Sequence, residues 1–362
     1  SSWGCSAAPT GGSRRLFYLA GVALSGEPVR MPWRILDVSF CPTLSIHGYL
    51  VKISPTTVVL CALVAGTLGA QTTRLSIAPV HPEPGAIVRL TLAAPASRAD
   101  AIVSIRGSMA GEPLHFLPSA RGTWHAIGAV PVDATGSLLA DAEVRHASGK
   151  IESVRARLTL PKLPPPVAQP LAVDSSFTRP LDAATAARVE RENARAREVG
   201  KRAHDSPLMW TASFLRPRTS AITSEFGSGR LFNGRMTSRH LGVDFRGAVG
   251  EPVAAANRGM VVLVDNFFLA GNVVYIDHGG GLVTAYFHLS KPLVSVGDTV
   301  ARGQVIGLVG ATGRVTGPHL HWAARYGAIT VNPLDLVSLK QNWYGRSSSR
   351  AYSSRRTRPT PE

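Results

Sequence analysis

Apolar and polar residues alternate in short runs through the first half of the chain, most clearly in Val88-Arg89-Leu90-Thr91-Leu92 and Val154-Arg155-Ala156-Arg157-Leu158. Successive strand side chains point to opposite faces, so a period of two predicts strands with one face buried and one wet. Glu83-Pro84-Gly85, Met109-Ala110-Gly111 and Ala134-Thr135-Gly136 break the runs with turn residues. The segment 71–160 therefore reads as a β-sandwich-like domain. Its histidines, His81, His115, His125 and His146, have no ligand spacing and read as ordinary strand or surface residues.

The pattern then changes twice. Residues 161–207 begin with a Pro-rich stretch containing Pro164-Pro165-Pro166, which predicts a stiff, extended linker unable to continue a sheet. A short helix follows, capped by Asp182, running to about Val199 and closed by Gly200. Its charges fall on most faces, so it reads as a mostly exposed connecting helix. From 208 to 340, short β-type runs alternate with glycines: Gly259 to Val264, Asn272 to Ile276, Gly281 to Tyr286 and Gln304 to Val309. The expected fold is all-β, an N-terminal sandwich-like domain joined by the linker and helix to a C-terminal Gly-rich β-sheet domain.

Composition changes this picture mainly at the ends. The net charge of +16 over 362 residues draws a protein to polyanions: nucleic acid, anionic lipid or wall polymers. No segment resembles a nucleic-acid module, so nucleic acid is not an expected partner. Residues 341–362, with Arg346, Arg350, Arg355, Arg356 and Arg358 among Ser and Pro, read as a basic disordered tail. Val58 to Gly66 is the one strongly apolar run, short of the about 20 residues that span a bilayer. With Lys52 before it and Leu68-Gly69-Ala70 after it, residues 51–70 read as a secretory signal peptide; the rival reading is a buried strand or short helix. Export to the periplasm or cell envelope, with no stable membrane span after cleavage, is the expectation. Residues 1–50 are unassigned and expected to derive from an over-extended reading frame, with initiation nearer Met31 or Val51. Cys5, Cys41 and Cys61 all precede the expected cut, so a metal site in the mature protein would be built from His, Asp and Glu.

Such residues occur at suggestive spacings. His319 and His321 lie two apart in an apolar run, so their imidazoles share one strand face; two polar residues on a wet face would show the same pattern. In Arg239 to Phe245, His240, Gly242 and Asp244 would share one face while Leu241, Val243 and Phe245 meet a core, and Gly242 would leave room for an ion. His240, Asp244 and one member of the 319/321 pair make three ligands, with a fourth position open for water, the pattern of catalytic zinc. The other member, and His288 in Tyr286-Phe287-His288-Leu289, would be spare for proton transfer.

These residues carry a resemblance. The His-x-Gly-x-Asp segment His240 to Asp244, the Tyr-x-His-Leu segment Tyr286 to Leu289 and the Gly-Pro-His-Leu-His segment Gly317 to His321 resemble, in order, the motifs of lysostaphin/LytM-type zinc metalloendopeptidases. Asn233-Gly234, Gly250 to Val253, Asp277-His278-Gly279, Val296-Gly297-Asp298 and Ile306-Gly307 match as well, and the resemblance spans about Ala221 to Leu336. It implies that His240, Asp244 and His321 bind Zn2+, that His288 and His319 are catalytic, and that the C-terminal domain is a peptidase. His278 is then structural, Arg230 and Asn233 line the groove, and Phe287, where the family has a small residue, narrows it beside His288.

The resemblance implies an endopeptidase acting on peptide cross-links of bacterial peptidoglycan. Two rivals of other classes stand beside it. A non-catalytic relative that binds peptidoglycan and activates another wall hydrolase would typically have lost ligands, whereas every expected position is filled here. A polyanion-binding structural protein explains the charge but not the histidine and aspartate spacing.

Overall fold

The computed structural model describes residues 43–46, 49–52, 72–95, 100–119, 122–162, 167–174, 180–234 and 236–339. The apolar run 58–66, the three cysteines, Pro164 to Pro166 and the tail 341–362 lie outside them. Within the first 70 residues, Thr43–Ile46 and Tyr49–Lys52 pair as an antiparallel hairpin. From Gln71 onward the chain forms one compact unit.

The alternating runs fold as two four-stranded antiparallel sheets. One orders Ile151–Thr159, Ser137–His146, Ile102–Met109 and Glu112–Leu114; the other orders Arg74–Ala78, Ile87–Ala93, Thr123–Ala129 and Leu117–Pro118. Val88, Leu90 and Leu92 enter the core between them with Met109, Leu114, Val144 and Leu158. Ile87, Ile127 and Ala129 pack the other way, into a core shared with Phe214, Phe245, Trp322 and Leu336 of the C-terminal part. Polar contacts follow the same seam: Ile87 N–H donates to Asp335 Oδ2 at 2.8 Å, and the Tyr326 hydroxyl donates to the Pro113 carbonyl at 2.6 Å.

His115, read as ordinary, lies on this seam. Its Nε2 is 2.8 Å from His204 Nδ1, and His204 Nε2 is 2.9 Å from Glu112 Oε2, which ties the sandwich to the chain just after the long helix. That helix, Ala183–Arg202, is capped by Asp182, whose Oδ1 accepts from Thr185 N–H at 2.8 Å. It does not close at Gly200. Gly200 is a buried interior residue, and a Cβ there would lie 2.0 Å from the Gly327 carbonyl oxygen. The glycine serves close approach to the neighbouring strand turn, not a left-handed cap.

The linker also departs from expectation, because Ala168–Leu171 does join a sheet. It pairs in parallel with Gly229–Phe232, which pairs antiparallel with Met236–Arg239. Pro170 is tolerated because its strand is at the sheet edge, where a missing N–H forfeits no ladder bond on the open side.

The C-terminal part is the expected Gly-rich β structure. Its main sheet runs Ile222–Ser224, Val243–Arg246, His319–Tyr326, Leu282–Leu289, Gly271–Gly279, Gly259–Phe267 and Thr299–Val300, all neighbours antiparallel, with Ile329–Val331 on the end of His319–Tyr326. The two helices among the described residues are Ala183–Arg202 and Pro333–Ser338. Neither is long and apolar enough to cross a membrane.

Candidate metal centre

Strand register assembles the site. Asp244 stands opposite His321, Arg246 opposite His319, and Phe287 opposite His321 from the other side. Directly opposed residues of an antiparallel pair project from one face, so Asp244, Phe287, His319 and His321 share a face while Val243, Phe245, Leu320 and Trp322 fill the core behind it. His240 arrives differently. It lies outside the strand expected to carry it: regular pairing stops at Arg239 and resumes at Val243, and Leu241 is 40% exposed instead of facing a core. The break lets the chain turn so that His240 points inward. Gly242 gives room less to an ion than to a ligand ring, since a Cβ there would lie 2.4 Å from His321 Nε2.

Three ligand atoms meet at one point. His240 Nε2 is 2.9 Å from Asp244 Oδ1 and 3.0 Å from His321 Nδ1, and His321 Nδ1 is 2.9 Å from Asp244 Oδ1. All three residues are buried. His240 Nδ1 donates its hydrogen to the Glu225 carbonyl at 2.9 Å, so in neutral His240 the Nε2 carries a lone pair. Burial, against the pull of Asp244, lowers His321 to about 4, so its ring is neutral near pH 7. Burial also opposes the charge on Asp244, but the two imidazoles outweigh it and hold the carboxyl well below the usual carboxylate range. His240 Nε2, His321 Nδ1 and Asp244 Oδ1 thus converge within 3.0 Å of one another, where a single cation would take all three as ligands. Two imidazole nitrogens and one carboxylate oxygen are a donor set suited to a divalent metal of the zinc type.

Two further imidazoles flank the cluster. His288 Nδ1 donates to the Thr312 carbonyl and His319 Nδ1 to the Gly317 carbonyl, each at 2.8 Å, so in the neutral form of either ring the lone pair sits on Nε2. Their ring centroids are 4.9 Å apart, and His319 Nε2 is 3.7 Å from Asp244 Oδ1. Burial, reinforced by His321 and His319, pushes His288 well below the ordinary imidazole value. Its backbone adopts a φ of 61°, a left-handed conformation unusual for a side-chain-bearing residue and often found at functional sites.

Phe287 stacks its ring on His321 and lies edge-on to His288, and it is not among the residues that wall the cavity at Asp244 and His319. Arg230 does line the groove, and its Nη2 also donates to Asp244 Oδ2 at 2.5 Å, holding the carboxylate from behind. Asn233 is occupied elsewhere: its side chain receives Val173 N–H at 3.0 Å and donates to Val173 carbonyl at 2.9 Å, clasping the linker strand. His278 is structural, as expected. A one-way hydrogen-bond chain runs from Ala256 N–H to Tyr286 Oη, to Thr284 Oγ1, to His278 Nε2, while His278 Nδ1 donates to the Arg258 carbonyl.

A cavity of about 340 Å³ opens onto Asp244 and His319, walled by Arg230, Phe232, Arg314 and the linker residues Gln169, Leu171 and Val173. A larger one of about 1040 Å³ lies on the seam with the sandwich, lined by residues such as Glu83, Leu160, Arg239 and Asp335 and by none of the four site histidines or Asp244. The chemistry places the functional groove at the smaller cavity. Arg314, inside the stretch that leads to His319, drew no notice in the sequence; the signal was a cationic residue directly after Gly313 in a segment otherwise built for close approach.

An all-β domain that gathers two histidines, one aspartate and two flanking imidazoles at a groove defines a metallopeptidase-like centre. Residues 238–333 match Peptidase family M23. It is 49% identical over 102 residues to peptidoglycan DD-endopeptidase ShyA of Vibrio cholerae, covering 28% of this chain and 24% of that protein. It is 42% identical over 98 residues to DD-carboxypeptidase/endopeptidase Mpg of Neisseria gonorrhoeae, covering 27% and 23%. The chain thus spans about a quarter of the length of these relatives. The crystal structure of a putative peptidase M23 from Pseudomonas aeruginosa superposes with a TM-score of 0.51 at 27% identity, covering 71% of this chain and 94% of that one. That likeness reaches well beyond the peptidase segment.

Proposed function

We propose that this protein is a zinc-dependent endopeptidase that hydrolyses peptide cross-links of bacterial peptidoglycan, acting in the periplasm or cell envelope after export. The observation that carries the reading is the convergence of His240 Nε2, Asp244 Oδ1 and His321 Nδ1, faced by two imidazoles whose Nδ1 atoms donate to backbone carbonyls. The names of the relatives support peptidoglycan as substrate, and the +16 net charge suits an anionic wall polymer.

His240, Asp244 and His321 would hold the ion, with Arg230 fixing the second oxygen of Asp244. Zinc bound there would polarise a peptide carbonyl and lower the pKa of a water. His319, at the cavity wall, takes the proton from the attacking water at Nε2 and returns it to the leaving amine. His288, when it carries a proton on Nε2, donates to the oxygen on which negative charge develops. The carbonyl acceptors at Thr312 and Gly317 keep both rings turned for these roles.

Incubating the protein with purified sacculi, with and without a chelator, and identifying the fragments by mass spectrometry tests the reading. Chelator-sensitive release of cleaved cross-links is expected, and its abolition in His240→Ala. Release that persists in both would sink the proposal. N-terminal sequencing of the exported protein tests the signal segment 51–70; a mature form beginning well before Gln71 would refute it.

A further inference from the structure

The groove holds a cation that the hydrolytic chemistry does not use. Arg314 lies in the loop before His319. The loop is pinned by Arg314 N–H donating to the Leu269 carbonyl at 2.9 Å, and by Gly313, where a Cβ would lie 2.4 Å from Gly271 N. The guanidinium sits over the ring of Phe232, 4.3 Å from its centroid, and both residues line the 340 Å³ cavity. Arg230, on the same wall, has its partner in Asp244. Arg314 forms no ion pair with any described carboxylate, and Asp244 is the one acidic residue lining the cavity. Arg230 Nε, buried, also lacks an acceptor among the described residues. Burial, and then repulsion from Arg230, make the charge on Arg314 less favourable than on a free arginine. Two like charges on one wall, with Arg246 at its rim, leave the cavity short of an anion.

We infer that Arg314 binds a carboxylate of the substrate peptide, so that the groove selects peptides carrying a free acidic group close to the scissile bond. This rests on the endopeptidase reading of the same site. A carboxylate matches the planar fork of a guanidinium with two parallel hydrogen bonds. The aromatic ring of Phe232 beneath the guanidinium holds that fork at the cavity wall. The anion belongs to the peptide itself, because the same small cavity must admit the bond that reaches Asp244 and His319. Two sources share this chemistry, a chain-terminal α-carboxylate and a carboxylate on a side branch.

Four synthetic cross-linked peptides separate them: both carboxylates free, either one amidated, or both amidated. Binding to the chelator-treated full chain is read by calorimetry, and kcat and KM with the zinc-loaded chain. Amidating the recognised carboxylate is expected to weaken binding about tenfold or more and to raise KM by a similar factor with little change in kcat. Arg314→Gln should bind all four alike, and Arg314→Lys should recover part of the preference. Equal binding of all four peptides by the unaltered chain overturns the inference, whether or not Arg314→Gln folds. Discrimination in binding without cleavage would remove the endopeptidase reading and leave this one standing; cleavage without discrimination would do the reverse.

Discussion

Phe287 lies flat against His321, with ring centroids 5.1 Å apart and planes 4° from parallel. The strand register that sets Phe287 opposite His321 also sets Asp244 opposite it from the other side. His321 is therefore clamped between an aromatic face and a carboxylate. Phe287→Ala should free the ring to turn and weaken metal affinity about tenfold, as loss of an orienting neighbour typically does. Competition against a chromogenic chelator measures it; unchanged affinity would mean that the backbone alone orients His321.

Metal removal should cost stability, because three buried ligand atoms within 3.0 Å of one another would lose the ion they share. An ion present at about 100 times its Kd stabilises by about 2.7 kcal/mol. A chelator should thus lower the melting temperature of the zinc-loaded protein by several degrees, and His240→Ala should melt at one temperature with or without chelator.

His278 gives a pH signature away from the metal. Its burial depresses it to about 4, and Thr284 Oγ1 points a hydrogen at Nε2. The unfolded chain, with imidazole near 6.5, binds more protons than the folded chain between these values. Stability from this group is therefore full above about pH 6.5 and lost as pH falls toward 4, by roughly 3 kcal/mol. Urea unfolding at a series of pH values should show this slope, and His278→Gln should flatten it.

Gly200→Ala sets helix propensity against packing. On propensity alone alanine stabilises a helix interior by about 1 kcal/mol. The added methyl would meet the Gly327 carbonyl oxygen at 2.0 Å, so destabilisation of about 2 kcal/mol is expected instead. Denaturant midpoints decide the sign.

The site was readable in outline because its chemistry is concentrated in short motifs. For His319 and His321 the period-two argument holds, since both lie on one strand. For His240 and Asp244 the spacing held while its explanation did not: the chain breaks between them, and Leu241 turns to solvent. The sandwich strands were legible from alternation at Val88 to Leu92, although alternation could not show that Ile87 faces a second core. Residues whose purpose lies across the fold were the ones misread. Gly200 reads as a helix stop until Gly327 is known to lie against it, and the stacking of Phe287 on His321 follows from a strand register that the sequence alone does not show. Ala168–Leu171 carries no strand signal of its own because its partner is 61 positions away, Ala168 pairing with Gly229.

The seam that joins Ile87, Ile127 and Ala129 to Phe245 and Trp322 has a mechanical corollary. A sandwich that shares its neighbour's core cannot rotate about the linker without exposing that core to water. Whatever surface the sandwich settles on, the groove at Asp244 and His319 is then carried at a set bearing to it. The reach of the hydrolytic centre is governed by how the whole body lies on its substrate, as with a blade fixed to its handle.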